Sequence, residues 1–309
     1  MSKTIRVFAP ATVANVGSGF DVLGFALENP GDEMTVSLSN KPGIRIRNQT
    51  PFSTIPLQPE KNVSGVSLLA MLEKLKSTQG FEIEMTRKIM PGSGLGSSAA
   101  GSVASVFAAN ELLGKPFTPL EMVPFAMEGE KLISGVAHAD NVAPAMLGGF
   151  VLIRSYKPLD IIALDFPRGL FCAVVHPQIE VRTEDARKIL SDKIKLKDAI
   201  TQWGNVAGLI AGLFKGDYDL IGRSLQDVII EPVRSVLIPG FDSVKKAAMD
   251  AGALGCSISG SGPSMFALCK SKNDAERVAL QMSETFSDNG IENEYFVSRV
   301  GEKGPVVIG

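Results

Sequence analysis

The residues best suited to chemistry lie in the segment Gly92-Ser-Gly-Leu-Gly-Ser-Ser98. The hydrophobic pattern predicts a strand before this segment and a helix after it, so the segment forms a turn at a helix N-terminus. A helix N-terminus exposes unpaired N–H groups and a partial positive charge, and glycines let a phosphate approach the backbone closely. Serine hydroxyls add donors or reach a cation. A flexible turn is the alternative, but this strand, loop and helix order favours an anion site.

The best-known phosphate loops have sequence patterns that this segment lacks. A P-loop requires Gly-Lys-Ser/Thr, and no lysine lies near Ser97 in the sequence. The Rossmann pattern fails because Ser97 occupies the third glycine position. The protein-kinase signatures His-Arg-Asp and Asp-Phe-Gly are absent from the sequence. We therefore predict a nucleotide-binding loop outside those three classes.

The elements of the first half of the chain surround two glycine clusters, Gly17–Gly24 and Gly92–Gly101. Glycine clusters between periodic segments indicate turns, and they allow backbone to lie close to a ligand. Hydrophobic spacing and capping residues predict strands at Thr4–Ala9, Glu33–Ser39, Phe81–Met90 and Gly148–Arg154, and helices at Asn62–Ser77, after Ser98 and after the capping box of Thr118 and Glu121.

The second half contains the third glycine cluster, Gly252–Gly262, and is predicted to open after a boundary near Tyr156–Asp160. Its predicted elements are strands at Ile161–Asp165 and Leu170–Val175, a helical stripe of Trp203, Val206, Ile210, Leu213 and Phe214, and a second stripe of Val278, Met282 and Phe286. Trp203 is expected in the core. Strands and helices alternate without a long βαβ series, which indicates the α+β class.

Length and composition exclude several classes of protein. The 309 residues allow two domains of about 150 residues each. A net charge of −2 lacks the basic surplus of a nucleic-acid binder, and two histidines exclude a histidine-rich metal site. Cys172, Cys256 and Cys269 form no CxxC pair, so we expect buried free thiols in a reducing compartment. No apolar run reaches the roughly 18 residues of a membrane span, and Pro10 and Asn15 interrupt any signal peptide, so a cytoplasmic protein is expected.

The three glycine clusters together resemble the motifs of the GHMP kinases. Pro91–Ala100 resembles their ATP loop, and Pro10–Gly24 and Gly255–Phe266 resemble their first and third motifs. Ala11–Asp21, His138–Ala145 and Glu231–Arg234 resemble the homoserine kinase branch of that family. The resemblance implies a two-domain α+β fold, with residues 1–157 similar to ribosomal protein S5 domain 2 and residues 158–309 ferredoxin-like. It also implies that ATP binds in a cleft between the domains.

The same resemblance implies phosphorylation of the side-chain hydroxyl of L-homoserine, a step of threonine biosynthesis. The amino acid is a zwitterion, whose carboxylate suits a guanidinium fork and whose ammonium suits a carboxylate. The residues that match the family's amino-acid site are Arg187 and Arg234 for the carboxylate, Asp21 for the ammonium, and Asn15, His138 and Asn141 as lining residues.

The resemblance also implies an ATP site and a Mg²⁺ site. The residues that match the ATP site are Asn62 near the adenine, and Pro91, Gly92, Ser93, Gly94, Leu95, Gly96, Ser97, Ser98, Ala99, Ala100 and Gly101. Ser98 and Glu130 match the metal ligands, and Mg²⁺ takes few protein oxygens because it keeps its waters. Taken alone, Glu130 would be read as a charge on a helix surface.

The deprotonation of the acceptor hydroxyl has two possible explanations. Asp140, beside His138 and Asn141, is the candidate base, as an aspartate is in other members of the superfamily. A loose, metaphosphate-like transition state needs no early deprotonation, so we favour a reaction without a base, in which Asp140 orients its neighbours or the substrate. Thr183 is then a candidate to hydrogen-bond near the transferring group.

Other functions remain open from the sequence. A GHMP kinase for mevalonate or a sugar is one, although neither acceptor needs both a carboxylate anchor and an ammonium anchor. A ligand-sensing relative without catalysis and a decarboxylating relative are two more, and the presence of Ser98 and Glu130 disfavours the former. No nucleic-acid or membrane partner is expected. The dimers of the family make a homodimer possible, and His176 is expected to be structural.

Overall fold

The computed structural model describes residues 3–50, 55–86 and 89–309, but not the side chain of Thr183. Its larger sheet has seven strands in the order β11-β1-β2-β4-β3, with β5 paired to β2 and β6 paired to β5. These strands are β1 (Thr4–Ala14), β2 (Leu23–Ser39), β3 (Ile44–Asn48), β4 (Gly80–Thr86), β5 (Phe150–Tyr156), β6 (Leu159–Leu164) and β11 (Val306–Val307). All of these pairs are antiparallel except β3 with β4.

The smaller sheet has four antiparallel strands in the order β10-β7-β9-β8. They are β7 (Phe171–Pro177), β8 (Gly255–Ile258), β9 (Met265–Cys269) and β10 (Asn293–Arg299). One face is covered by α9 (Phe241–Asp250) and α10 (Lys272–Asp288), which enclose a separate apolar core. With its mixed helices and mainly antiparallel sheets, the chain has the predicted α+β class.

The other α-helices of the described chain precede α9 in sequence. They are α1 (Val63–Leu75), α2 (Ser97–Leu112), α3 (Pro119–Ser134), α4 (Val142–Leu147), α5 (Thr183–Lys188), α6 (Leu196–Lys215), α7 (Tyr218–Ser224) and α8 (Glu231–Arg234). Helix α2 is buried on nearly every side, because it packs against β1, β2, α1 and α3. Its alanines, serines and glycine are small enough for that crowded position.

Local signals predicted two helix starts correctly. The side chain of Asn62 accepts a hydrogen bond from the backbone of Ser64 and caps α1. Thr118 and Glu121 form the reciprocal capping box of α3. Pro124 lies inside α3 and does not mark its start.

Three strands of the first half have bounds that differ from the prediction. β1 and β2 are longer than predicted, and β4 ends earlier. β1 continues to Ala14 and β2 already begins at Leu23, because the chain after Pro10 is buried and pairs with β2 past a bulge. The strand predicted to reach Met90 ends at Thr86.

The strand at Ile161–Asp165 was predicted to belong to the second half of the chain, and this prediction is wrong. The strand is β6, which forms an antiparallel hairpin with β5 in the larger sheet. The chain also returns to that sheet at its end, where β11 pairs with β1. Neighbouring strands joined by a short turn pair readily, as β5 and β6 do. The predicted boundary between residues 157 and 158 lies in the turn that joins these two strands. The division into residues 1–157 and 158–309 stays a prediction.

Burial bears out the expectation for the cysteines and contradicts the one for Trp203. All three cysteines are buried and free, as expected. Trp203 is 62 % exposed, and Phe214 on the same helix is also exposed. Helix α6 instead turns Gln202 and Leu209 inward, because Gln202 makes hydrogen bonds inside the protein that an indole would not reproduce. His176 is buried against Ser264.

Candidate active site

A cleft of about 320 Å³ brings the three glycine motifs together. This volume suits a small-molecule ligand. The predicted site residues that line it are Asn15, Asp21, Asn62, Pro91, Gly92, Gly94, Gly96, Ser97, Ser98, Glu130, His138, Asp140, Asn141, Arg187 and Arg234. The other residues of the predicted ATP loop, Ser93, Leu95, Ala99, Ala100 and Gly101, are buried behind that lining.

The glycine loop presents the N-terminus of α2 to the cleft. Gly96 is the N-cap of α2, with φ of 66°, and no side chain among the described residues caps it. A helix N-terminus of this kind presents backbone N–H groups and a partial positive charge to an anion, here beside the hydroxyl of Ser98. Gly92 has φ of 79°, and no heavy atom of the described residues, apart from its two chain neighbours, lies within 4 Å of its Cβ position. The arrangement is that of the phosphate-binding turn predicted from the sequence.

The loop keeps its shape through contacts with the other two glycine motifs. The backbone N–H of Thr12 donates to the carbonyl of Leu95 at 3.1 Å. The hydroxyl of Ser259 donates to the carbonyl of Gly94 at 2.7 Å. A Cβ on Gly94 would lie 2.6 Å from the carbonyl oxygen of Ser259, so this approach requires glycine. The first and third motifs therefore support the loop from behind.

Ser98 and Glu130 meet as predicted, although they lie on different helices. The Ser98 hydroxyl donates to Oε1 of Glu130 at 2.5 Å. Gly129 lets α3 approach α2, because a Cβ there would lie 2.0 Å from Oγ of Ser102. Burial raises the pKa of Glu130, and the hydrogen bond from Ser98 opposes that shift.

This pair suits a magnesium ion bound mainly by phosphates and water. A hydroxyl and a carboxylate are the hard oxygen donors that Mg²⁺ prefers. Over residues 3–50, 55–86 and 89–309, no three histidine, cysteine, aspartate or glutamate side chains are grouped to hold a metal. Protein ligands for Mg²⁺ in this cleft would therefore be few.

The opposite end of the cleft carries a charged cluster. Nη2 of Arg187 donates to both carboxylate oxygens of Asp21, at 2.8 and 3.0 Å. Arg234 is only 4 % exposed and donates to the carbonyls of Ala186 and Gly260, at 3.1 and 3.0 Å. Burial lowers the pKa of Arg234, and the charge of Arg187 lowers it further. Two cations and one carboxylate thus face the same small volume.

His138 lies beside this cluster with its Nδ1 near Asp21. Both ring nitrogens are buried without a hydrogen-bond partner in the described part of the chain. Nδ1 lies 3.7 Å from Oδ1 of Asp21. Burial lowers the pKa of His138, although Asp21 acts in the opposite direction, so the neutral ring is favoured. A buried, unpartnered histidine at a cleft is suited to a polar ligand.

The first motif holds its side chains with an unusual backbone. Asn15, Val16 and Asp21 have φ of 70°, 43° and 60°, and a β-branched residue such as Val16 seldom adopts such a value. The side chain of Asn15 accepts from the N–H of Asp21 at 3.0 Å and donates to the carbonyl of Gly260 at 2.7 Å. Asn15 thus connects the first motif to the third.

Asp140 and Asn141 lie between the two ends of the cleft. Asp140 is 5 % exposed, and burial together with the charges of Asp21 and Glu130 raises its pKa to about 7. A carboxyl with a pKa near neutrality is a recognised feature of functional sites. Asn141 accepts a hydrogen bond from the hydroxyl of Thr12 at 2.7 Å, which fixes its side chain beside the glycine loop.

Asn62 lines the cleft, but its amide also donates to the carbonyl of Pro56 and caps α1, so it shapes this wall from within. The Thr183 side chain lies outside the described structure, and its predicted role stays untested.

Several residues at the site were missed by sequence reasoning. Tyr156 donates its hydroxyl to the carbonyl of Asp21 at 2.9 Å and accepts from the N–H of Ala139 at 3.3 Å, so it joins the two motifs. No local sequence pattern marks Tyr156, because it lies at the end of β5 and its hydrogen-bond partners are distant in the sequence. Lys61 lines the cleft next to Asn62, and that adjacency was the available signal.

Family models and known proteins agree on one family. The model of the GHMP kinase N-terminal domain matches residues 63–149, and that of the GHMP kinase C-terminal region matches residues 209–288. A homoserine kinase of Chlorobium phaeobacteroides is 49 % identical, over 99 % of this chain and 100 % of its own length.

Solved structures extend the agreement to the fold. A homoserine kinase from Cytophaga hutchinsonii is 56 % identical, with a TM-score of 0.96 over 100 % of this chain and 98 % of that one. The mevalonate kinase of L. major shares the fold at 18 % identity, with a TM-score of 0.73 over 97 % of each chain. The chain therefore belongs to the GHMP kinase family, alongside the homoserine kinases that it resembles over its whole length.

Proposed function

We propose that this chain transfers the γ-phosphate of ATP to the side-chain hydroxyl of L-homoserine, giving ADP and O-phospho-L-homoserine. One observation carries the proposal: a cleft with a helix N-terminus at one end has Asp21, Arg187 and Arg234 at the other. The homoserine kinases that match over whole chains support it. The product is an intermediate of threonine biosynthesis.

The charged end fits the zwitterionic head of an amino acid. Arg234 makes no ion pair with any described residue, so its cation is available to a carboxylate. Asp21 is available to an ammonium group while it remains paired with Arg187. His138 and Asn15 then line the space around the head group. The side-chain hydroxyl of homoserine would extend toward the glycine loop.

The other end fits the triphosphate of ATP. The N-terminus of α2 and the backbone of Gly92–Gly96 receive the phosphates. Ser98 and Glu130 would hold Mg²⁺, which would supply positive charge to neutralise the phosphate oxygens. Lys61 and Asn62, with the apolar side chains of Ile55 and Pro56, form the wall where the adenine would lie.

In the transfer step, the homoserine hydroxyl oxygen forms a bond to the γ-phosphorus while the bond to the ADP oxygen breaks. Asn141, whose side chain Thr12 fixes, orients the reacting groups, and Thr183 remains a second candidate for that role. The hydroxyl proton leaves late, to a phosphate oxygen or to water, if the transition state is loose. Asp140 then acts by orienting its neighbours and not as an obligatory base. The side chains of the site thus contribute to the transfer mainly by orienting the two substrates and by neutralising charge.

The experiment is a product assay with ATP, Mg²⁺ and a set of hydroxyl acceptors. We expect rapid ADP formation with L-homoserine and far less with L-serine, whose hydroxyl lies one methylene nearer the anchored head group. Such a misplacement costs on the order of 100-fold in rate. Comparable turnover of mevalonate or galactose would refute the proposed substrate.

A further inference from the structure

The ring of Phe20 lies against both of the guanidinium groups at the charged end of the cleft. Its centroid is 5.4 Å from Cζ of Arg187 and 5.0 Å from Cζ of Arg234. Both distances fall within the range in which an aromatic face attracts a cation. Phe20 does not line the cleft, so its effect on a ligand would pass through the two arginines.

The two arginines need such support because their charges repel. Burial lowers the pKa of Arg234, and the nearby charge of Arg187 lowers it further, as repulsion between the two cations requires. Arg187 has the carboxylate of Asp21 as a counter-ion. Arg234 is nearly buried, and its hydrogen-bond partners in the described chain are two neutral carbonyls. The face of Phe20 supplies negative electrostatic potential to both cations without occupying any of their N–H donors.

We infer that Phe20 is a positioning residue, whose ring holds Arg187 and Arg234 side by side so that both remain directed at an incoming carboxylate. The inference rests on the proposed function and extends it to the way in which the two arginines recognise the carboxylate of the substrate. An amino acid whose ammonium group donates to Asp21 would present its carboxylate to two guanidiniums that are already in place. The free energy of ordering two long, mutually repelling side chains is then not subtracted from binding.

The neighbouring backbone gives Phe20 a fixed place from which to act. Asp21, the next residue, has φ of 60°, and its N–H bonds to Asn15 while its carbonyl accepts from Tyr156. Asn15 shares the carbonyl of Gly260 with Arg234. The ring, the carboxylate and one of the arginines are thus connected through a single rigid turn.

The test compares Phe20→Leu, Phe20→Tyr and a series in which Phe20 carries one, two or three ring fluorines. Fluorine weakens the negative face of the ring with little change in size. We expect Phe20→Leu to raise the KM for L-homoserine by about 2- to 30-fold, with kcat and the ATP KM within twofold of the wild type. Phe20→Tyr should stay close to the wild type. The KM should rise with each added fluorine.

Two results would overturn the inference. An unchanged homoserine KM in Phe20→Leu would show that the ring does not act on the arginines. If the homoserine KM rises in Phe20→Leu but does not change across the fluorine series, the ring only fills space. The fluorine series tests the inference even if Phe20→Leu folds poorly. Failure of the wild-type protein to phosphorylate L-homoserine is a different result, because it would refute the proposed function before any variant is compared.

Discussion

The phosphate end of the cleft comes largely from one continuous segment, Gly92–Ser98, with Glu130 added from α3. The amino-acid end, by contrast, gathers Asp21, His138, Arg187 and Arg234 from four separate segments. The first end uses backbone N–H groups and a helix terminus, whereas the second uses charged side chains. Backbone recognition suits a phosphate group, which many different proteins bind, because it needs no particular side chain. Recognition by charged side chains suits one particular substrate.

This comparison predicts where each kind of damage should appear. Changes at the phosphate end should act on kcat, because the transferring group is stabilised there. Changes at the amino-acid end should act on the homoserine KM, because only the substrate head group is held there. The following variants test that separation.

The largest effect is expected at the phosphate end, from Glu130→Gln. The amide keeps an acceptor for Ser98 but removes a charged oxygen ligand from Mg²⁺. We expect kcat to fall on the order of 100- to 1000-fold, with partial recovery at high Mg²⁺. Steady-state kinetics across a Mg²⁺ titration measures this, and Glu128→Gln, two residues away on the exposed face of α3, is the matched control. A near wild-type rate at low Mg²⁺ would remove Glu130 from the metal site.

A smaller effect on a different parameter is expected from Arg187→Lys. An ammonium group would not reproduce the planar contact with Asp21 and a substrate carboxylate. The homoserine KM should rise about 10- to 100-fold, and Arg187→Lys should recover little of what Arg187→Ala loses. The ATP KM should stay nearly constant in both variants. Arg182→Lys, at an exposed arginine that precedes α5, is the control. Equal damage to both KM values would place Arg187 on the phosphates and break the separation.

Asp140→Asn tests the boundary between the two ends. General-base catalysis typically contributes 10²- to 10⁴-fold, and we expect a smaller loss in kcat at saturating homoserine, with a larger effect on its KM. Calorimetry of homoserine binding separates affinity from catalysis. A kcat loss above about 10⁴-fold with binding preserved would make Asp140 the base.

The same substitution has a predicted effect on stability. The pKa of Asp140 is about 7 in the folded protein, whereas an unfolded aspartate titrates near 3.9. Between those values the folded state binds more protons, so the free energy of unfolding falls as the pH rises through that window and levels off above 7. Asp140→Asn removes this dependence, and its stability gain should be greater at pH 8 than at pH 5. Urea unfolding at the two pH values measures it, with exposed Asp192→Asn as the control.

The smallest effect is expected from Tyr156→Phe. The change removes one hydroxyl that joins Asp21 to Ala139 and keeps the ring beside His138. A single hydrogen bond of this kind corresponds to about a 2- to 10-fold rise in the homoserine KM. The half-exposed Tyr295 offers a matched Tyr→Phe control. If kcat fell while the KM held, Tyr156 would belong to the transfer step and not to the amino-acid end.

Sequence reasoning worked best where the signal lies within a few residues. The Gly92–Ser98 turn, the capping box at Thr118 and a helix that begins close to Asn62 were correctly predicted. These features depend on backbone geometry and on hydrogen bonds between near neighbours, both of which residue types specify directly. The residues of the amino-acid end came from the resemblance to known kinases, because their spacing alone carries no such signal.

The tertiary structure alone decided the contacts that make the amino-acid end work. The Asp21–Arg187 pair joins residues 166 positions apart, and Asn141 reaches Thr12 across 129. Trp203 is exposed and β6 joins the larger sheet, both against expectation. Periodicity shows that a helix or strand has an apolar face, but it does not show which partner covers that face. Long-range partners depend on how the whole chain packs, and only the folded molecule contains that information.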